Sequence, residues 1–126
     1  MQITMKLADA LNLNNAVKEI IDHDTSRIDA LFKFKLLGIM KNLESYVTNF
    51  NVIRNEKIKE YGKEDENGTV TISQEDNDAI QKFTEDINQL INSDITVDIQ
   101  KLKAKDVFDS GVPSEYLVGL YPIMEE

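Results

Sequence analysis

One histidine, His23, stands between Asp22 and Asp24, and a serine follows at Ser26. Histidine, carboxylate and serine are the residue types of a hydrolase triad, in which the imidazole takes the proton of the serine hydroxyl. Ser45 is a second candidate nucleophile. Adjacent residues on a helix point about 100° apart, so Asp22 and His23 do not share a face by spacing alone. We therefore expect no catalytic site, and we interpret His23 as an exposed residue at a helix end.

The segment of residues 61–76, YGKEDENGTVTISQED, carries five acidic side chains around an Asn-Gly pair and could be a calcium loop. An EF-hand loop has an invariant glycine at its sixth position, oxygen ligands at its first, third and fifth positions, and a bidentate glutamate at its twelfth. With Gly68 in sixth place, Lys63 takes the first position and Gln74 the twelfth. Because a lysine and a glutamine replace these two ligands, the segment indicates a turn, and we expect no metal and no cofactor.

Glu85 and Asp86 form a carboxylate pair of the kind that glycosidases use as acid and base. Such a pair works inside a cleft, whereas these two residues fall on a predicted helix face that is exposed to water. Neither G-x-G-x-x-G nor G-x-x-x-x-G-K-[S/T] occurs, so nucleotide binding has no motif. The chain also has no cysteine, which removes thiolate zinc sites and cysteine nucleophiles. We therefore expect that the protein is not an enzyme.

The chain has 126 residues, of which 41% are apolar and 29% charged, and this composition fits a single globular domain over residues 1–126. The net charge is −9, and the excess acid lies mostly in residues 62–94. An acidic surface repels phosphate backbones, so we expect no direct nucleic-acid binding. No apolar run is long enough to span a bilayer, and the N-terminal residues alternate in polarity, so we expect neither a membrane segment nor a signal peptide.

Two short segments alternate between apolar and polar residues, as half-buried strands do. They are residues 2–7 and 95–100, with apolar positions at Ile3, Met5, Leu7, Ile95, Val97 and Ile99. We predict that the two strands pair in a small sheet over the helices. The fold class that follows is α+β, mainly helical, with one long helix.

Other signals divide the rest of the chain into helices and turns. Residues 7–22 predict a helix with a break at one of its asparagines. Asn67 and Gly68 favour a type I′ hairpin turn with residues 69–72 as the returning strand, and Ser73 is the predicted N-cap of a helix over residues 74–92. In the tail we predict a turn at Ser110 and Gly111 and then a short helix. That helix is expected to begin near Pro113, to turn Leu117 and Leu120 inward, and to end at Pro122.

The strongest helical pattern runs from Ile28 to Tyr61, where apolar residues recur at helical spacing without a proline. A helix of about 35 residues spans roughly 50 Å, more than a small globule covers alone. It therefore either bends, near Gly38 or residues 49–51, or has a neighbour that covers it.

We label this predicted helix, the second in the chain, α2 and name the centre of its apolar pattern the α2 stripe. The stripe consists of Phe32, Leu36, Ile39, Met40, Leu43, Tyr46, Val47 and Phe50. Exposed apolar patches of this size mark contact sites, so we expect a partner to cover part of the stripe. If the C-terminal residues 116–124 cover it instead, the protein is a monomer. The candidate interaction residues are Phe32, Leu43, Tyr46, Phe50, Tyr116 and Tyr121.

Three stretches of the sequence resemble a group of short, functionally unassigned proteins of tailed bacteriophages. They are the first strand MQITMKL, the turn YGKEDENG after a long helix, and a tail of the form S-x-x-L-x-x-L-x-P-x-x-E at Ser114, Leu117, Leu120, Pro122 and Glu125. The resemblance implies a non-enzymatic phage structural or assembly protein, such as a virion ring, connector or head-associated subunit. Its partners would be other phage structural proteins or copies of itself, in the virion or the host cytoplasm.

Two alternatives remain open. The first is a small acidic inhibitor of a host defence protein, in which the carboxylates of residues 64–66 and 75–78 imitate phosphates. The second is an assembly chaperone.

Overall fold

The computed structural model describes residues 2–22, 28–112 and 114–125, and it confirms the predicted α+β, mainly helical fold with one long helix. In chain order the elements are β1 (Gln2–Lys6), α1 (Leu7–Asp22), α2 (Ala30–Tyr61), β2 (Lys63–Glu64), β3 (Val70–Thr71), α3 (Asn77–Ile91), β4 (Asp94–Asp98), β5 (Leu102–Lys103), α4 (Ala104–Phe108), two 3₁₀ helices (Ser114–Tyr116 and Val118–Ile123) and β6 (Met124–Glu125).

The chain divides into two compact units, and each is described by itself. Unit 1 comprises residues 1–47 and 94–126, and unit 2 comprises residues 48–93. Helix α2 therefore begins in unit 1 and ends in unit 2. That the whole chain is one domain stays a prediction.

The predicted pairing of the two alternating segments in unit 1 is confirmed. Strands β1 and β4 are antiparallel, with Gln2 opposite Asp98 and Lys6 opposite Asp94. Alternation places Met5 and Val97 in the core while their neighbours along each strand stay more exposed. Both strands are shorter than predicted, because helix α1 takes over directly after Lys6 and pairing ends at Asp98.

Helix α1 is continuous, so the predicted break at its asparagines is wrong. Its buried residues recur every three or four positions, at Leu7, Ala10, Leu13, Val17 and Ile20. This apolar face runs past the asparagines without interruption. The packing of such a face contributes more to helix stability than the weak helix propensity of asparagine removes.

Within unit 1 the first part of the α2 stripe is covered by the chain itself. Phe32, Leu36, Ile39 and Leu43 are buried in one core with α1, the β1–β4 sheet and the C-terminal segment. The second 3₁₀ helix lies so close to α1 that a side chain added at Gly119 would overlap Ala16. For these four stripe residues the covering neighbour is therefore part of the same chain.

The C-terminal part of unit 1 contains two elements that the sequence patterns did not predict, helix α4 and the parallel pair of β5 with β6. The predicted turn is present, with Gly111 at φ 88°. Leu117 and Leu120 are buried as predicted. Pro122 does not end the helix, because it lies inside the second 3₁₀ helix, which runs to Ile123. The predicted helix start at Pro113 lies outside the described residues.

The hairpin of unit 2 pairs β2 with β3, but its predicted turn type is wrong. A type I′ turn needs two residues with positive φ. Here Gly68 has φ 81°, and no residue other than glycine has positive φ in the described chain. Asp65 builds the turn, since its carboxylate accepts hydrogen bonds from the backbone N–H groups of Asn67 (2.8 Å) and Thr69 (2.9 Å). The backbone N–H of Asp65 also donates a 2.8 Å hydrogen bond to the carbonyl of Thr69, so three residues, 66–68, form the loop, which ends on the left-handed Gly68.

Helix α3 starts three residues later than predicted, and the predicted cap is wrong. The N-cap is Asp76, whose carboxylate accepts a 3.1 Å hydrogen bond from the backbone N–H of Ala79. Ser73 instead accepts a hydrogen bond from the Glu75 N–H at 3.2 Å, in a turn before the helix. Both residue types are good caps, and the preceding turn decides which of the two sits at the helix start.

Candidate functional site

Most of the residues considered for a hydrolase triad cannot be placed relative to one another. His23 and Ser26 lie outside the described residues, and Ser45 is exposed on α2. Among the described residues, no group of three or more histidine and acidic side chains is placed to hold a metal ion. The helices in the described part of the chain are also too short or too polar to cross a membrane.

The predicted contact residues fall into different environments. Phe32 and Leu43 are buried in the core of unit 1, so they are core residues that have no free surface for a partner. Tyr46 and Tyr116 are half-buried and pack against that core. Tyr121 is 57% exposed. Phe50 is half-buried in unit 2.

Two polar side chains of α2 fix this helix against strand β4. The hydroxyl of Tyr46 donates a 2.7 Å hydrogen bond to the backbone carbonyl of Thr96. The side-chain amide of Asn42 donates a 2.8 Å hydrogen bond to the backbone carbonyl of Asp98. Thr96 is the middle residue of β4 and Asp98 is its last, so these two bonds fix the rotation of α2 about its own axis. That rotation determines which residues of α2 face water.

Near the N-terminal end of α2, three residues that face water form an apolar surface that the sequence patterns missed. Leu31 is 61% exposed, Phe34 is 73% exposed and Leu37 is 47% exposed. Phe34 lies on the opposite side of the helix from the buried Leu36, since successive residues are about 100° apart. We call Leu31, Phe34, Leu37 and Gly38 the outer face of α2.

Gly38 makes a notch in the outer face. A Cβ atom added at Gly38 would meet no atom within 4 Å. The glycine also borders a cavity of about 180 Å³, whose other lining residues are Phe34, Lys35, Ile39, Asn42, Gln100 and Leu102. A glycine in a helix interior is about 1 kcal/mol less favourable than alanine. No close approach within the described chain accounts for it.

An acidic site lies beside the N-terminal end of the outer face. Asp29, Asp106 and Asp109 line a cavity of about 210 Å³ together with Leu31, Phe32, Lys35 and Ser110. Asp29 also caps α2, since its carboxylate accepts a 3.1 Å hydrogen bond from the Phe32 N–H. Lys41 is exposed one turn beyond Leu37. The outer face therefore has acid at one end and a lysine at the other.

Unit 2 has a polar cluster in which α2 meets α3. The hydroxyl of Tyr61 donates a 2.6 Å hydrogen bond to the Asp86 carboxylate, and the Lys57 ammonium lies 3.5 Å from that carboxylate. The hydrogen bond from Tyr61 and the charge of Lys57 hold the pKa of Asp86 below its ordinary value. The same hydrogen bond raises the pKa of Tyr61. Both pKa shifts stabilise the state in which the Tyr61 phenol is neutral and the Asp86 carboxylate is ionised. A hydrogen bond in this state links the two helices, and it does not favour proton transfer between the two groups.

Unit 2 also has two open cavities. The larger, of about 590 Å³, is lined by Tyr61, Lys63, Ser73, Glu75, Asp76, Asn77 and Asp78. The smaller, of about 270 Å³, is mainly apolar and is lined by Arg54, Ile58, Val70, Thr71, Ile72, Ile80 and Phe83. Asp76 is already engaged as the helix cap. The Ser73 hydroxyl oxygen is also engaged, since it accepts a hydrogen bond from the Glu75 N–H.

Comparison of the chain with protein-family models, with curated proteins and with solved structures gives no match.

Proposed function

We propose that this chain is a non-enzymatic phage structural or assembly protein that acts through protein–protein contacts. The observation that supports the proposal is the outer face of α2, where Leu31, Phe34 and Leu37 expose about half or more of their surface next to the notch at Gly38. Three large apolar side chains exposed side by side are typical of a contact site. The phage assignment itself follows from the resemblance of the three sequence stretches.

The alternative of an acidic inhibitor has less support in unit 2. Phosphate imitation needs carboxylates that are free to meet a partner, whereas Asp65 and Asp76 accept hydrogen bonds from backbone N–H groups of their own turn and helix. Two of the six carboxylates in residues 64–66 and 75–78 are therefore engaged in local structure. No observation favours an assembly chaperone over a structural subunit, and both would act through the same kind of surface.

Mass spectrometry of purified phage particles and of assembly intermediates tests the proposal. We expect the chain in one of these fractions. In phage that carry Phe34→Ala, we expect less of the chain in the particles or intermediates. Phage that carry Val118→Ala should contain the wild-type amount, because this matched change truncates a residue that is 60% exposed and lies elsewhere. If the wild-type chain is absent from both particles and intermediates, the proposal is wrong.

A further inference from the structure

We infer that a second copy of this chain docks on the outer face of α2, in an antiparallel helix pair that inserts Phe34 of each copy into the notch at Gly38 of the other. The inference rests on the proposed function, because it names one partner of the proposed contact surface. It concerns only unit 1, to which the whole outer face belongs.

The first reason is that the outer face is complementary to itself. In paired helices, a side chain of one helix fills a hole formed by residues i, i+3, i+4 and i+7 of the other. Phe34, Leu37, Gly38 and Lys41 have this spacing, and Gly38 leaves the hole open. The protruding residue is Phe34 itself, which is 73% exposed. A twofold axis near residue 36 therefore lets each copy supply both the side chain and the hole.

The second reason is charge. In an antiparallel pair with Phe34 opposite Gly38, position 31 of one copy lies opposite position 41 of the other. Lys41 of each copy then approaches the acidic site next to Leu31, where three aspartates, Asp29, Asp106 and Asp109, outnumber the single lysine of that cavity, Lys35. Because of the twofold symmetry, this attraction occurs at both ends of the helix pair. A parallel pair would instead place the two Lys41 side chains together, which is unfavourable.

The third reason is that no close packing contact within the described chain explains the glycine at position 38. The helix is exposed at this position, and an added Cβ would be in open space, so alanine would be more stable here in an isolated chain. Close approach of a second helix explains the glycine, because the distance between helix axes depends on the side chains at the contact.

The test is the molecular mass in solution across a concentration series, measured by sedimentation. We expect the wild type to form dimers. Phe34→Ala and Gly38→Leu should each raise the dimer dissociation constant at least about tenfold, because one removes the inserted ring and the other fills the hole. Val118→Ala, which truncates an exposed residue outside the outer face, should leave the constant unchanged. Circular dichroism should show an unchanged fold, since neither position has its side chain in the core.

A charge exchange tests the orientation. Lys41→Glu should weaken the dimer, and adding Asp106→Lys in the same chain should partly restore it, because a lysine then replaces one of the three carboxylates that position 41 faces. If the double variant is weaker than Lys41→Glu alone, the antiparallel arrangement is wrong.

Cross-linking gives a second view of the orientation, since the chain has no cysteine of its own. A mixture of Leu31→Cys and Lys41→Cys proteins should form a disulfide between unlike chains. Lys41→Cys alone should not, because its two thiols would be about 15 Å apart along the helix axis at 1.5 Å per residue. Efficient cross-linking of Lys41→Cys to itself would overturn the antiparallel pair.

The inference and the proposed function can fail separately. A wild-type chain that stays monomeric throughout the series overturns the inference, as does a dimer that is unaffected by both Phe34→Ala and Gly38→Leu. Neither result contradicts the proposed function, because the outer face could then bind another phage protein. Mass spectrometry of phage particles and intermediates tests that function independently.

Discussion

The hydroxyl of Tyr61 and the carboxylate of Asp86 lie 2.6 Å apart and join the last residue of α2 to α3. Because the pKa of Asp86 is lowered in the folded chain, its contribution to stability is present above the ordinary pKa of aspartate and is lost as the pH falls through the lowered value. The pKa of Tyr61 is raised, so its contribution is present below the ordinary pKa of tyrosine and is lost as the pH rises through the raised value.

We predict that Tyr61→Phe raises the pKa of Asp86 towards its ordinary value, because the phenylalanine ring donates no hydrogen bond. Titration of the Asp86 carboxyl carbon by NMR would measure the change. Gln81→Ala is a suitable control, since it removes a side-chain hydrogen bond to Glu85 on the same helix without touching Asp86. An Asp86 titration that is identical in Tyr61→Phe and the wild type would contradict the importance of this bond.

Adjacent residues on α2 should respond very differently to truncation. Leu36 is fully buried and Leu37 is 47% exposed. Leu36→Ala should lower the free energy of unfolding by about 2–5 kcal/mol, because it removes core contacts and leaves a cavity. At protein concentrations too low for dimers, Leu37→Ala should change the free energy of unfolding by less than about 1 kcal/mol. Urea denaturation of both variants measures the difference, and equal losses would mean that α2 is rotated from its position in the structure.

The hairpin of unit 2 depends on the left-handed conformation of Gly68. Gly68→Ala should destabilise the hairpin by about 1–2 kcal/mol, because a Cβ atom is unfavourable at positive φ. Gly68→Asn is the matched control and should cost less, since asparagine tolerates this conformation. Cross-strand nuclear Overhauser effects between β2 and β3 report the hairpin directly. If alanine and asparagine have the same effect, the conformation at residue 68 does not limit the hairpin.

The cap of α3 can be located by comparing two substitutions. Asp76→Ala should destabilise the helix by about 0.5–2 kcal/mol, because it leaves the Ala79 N–H without its partner. Ser73→Ala should cost less, since Ser73 lies in the preceding turn. Amide hydrogen exchange in the first turn of α3 would show which residue is the cap. Faster exchange in Ser73→Ala than in Asp76→Ala would support Ser73.

The elements that were predicted correctly are those in which apolar residues recur with a clear period. Alternation in the first strand and in the strand after α3 was sufficient to predict their pairing, because one-sided burial of Met5 and Val97 sets both the face and the register. The stripe on α2 likewise predicted Leu36 as an inward residue. These features depend on local spacing, which a sequence displays directly.

Features that depend on tertiary contacts were missed. β5 and β6 are two residues each, too short to show any period, and their parallel pairing joins distant parts of the chain. The choice of Asp76 over Ser73 depended on the turn between them. The outer face had one usable signal, namely that Phe34 falls on the side of α2 opposite the stripe. That signal became informative only when the structure showed the stripe in the core and Phe34 in water.

The order of the two units along the chain affects the order in which they fold. Unit 2 is one continuous segment that separates the two halves of unit 1, and β1 pairs with β4 across most of the chain. During translation β1 therefore cannot pair until β4 has been synthesised, whereas the local contacts of unit 2 can form as soon as residues 48–93 have left the ribosome. In pulsed hydrogen exchange during refolding, we expect amides of α3 to gain protection before those of β1. The unpaired β1 edge and the apolar side of α1 are the surfaces that a nascent chain leaves open to aggregation for longest.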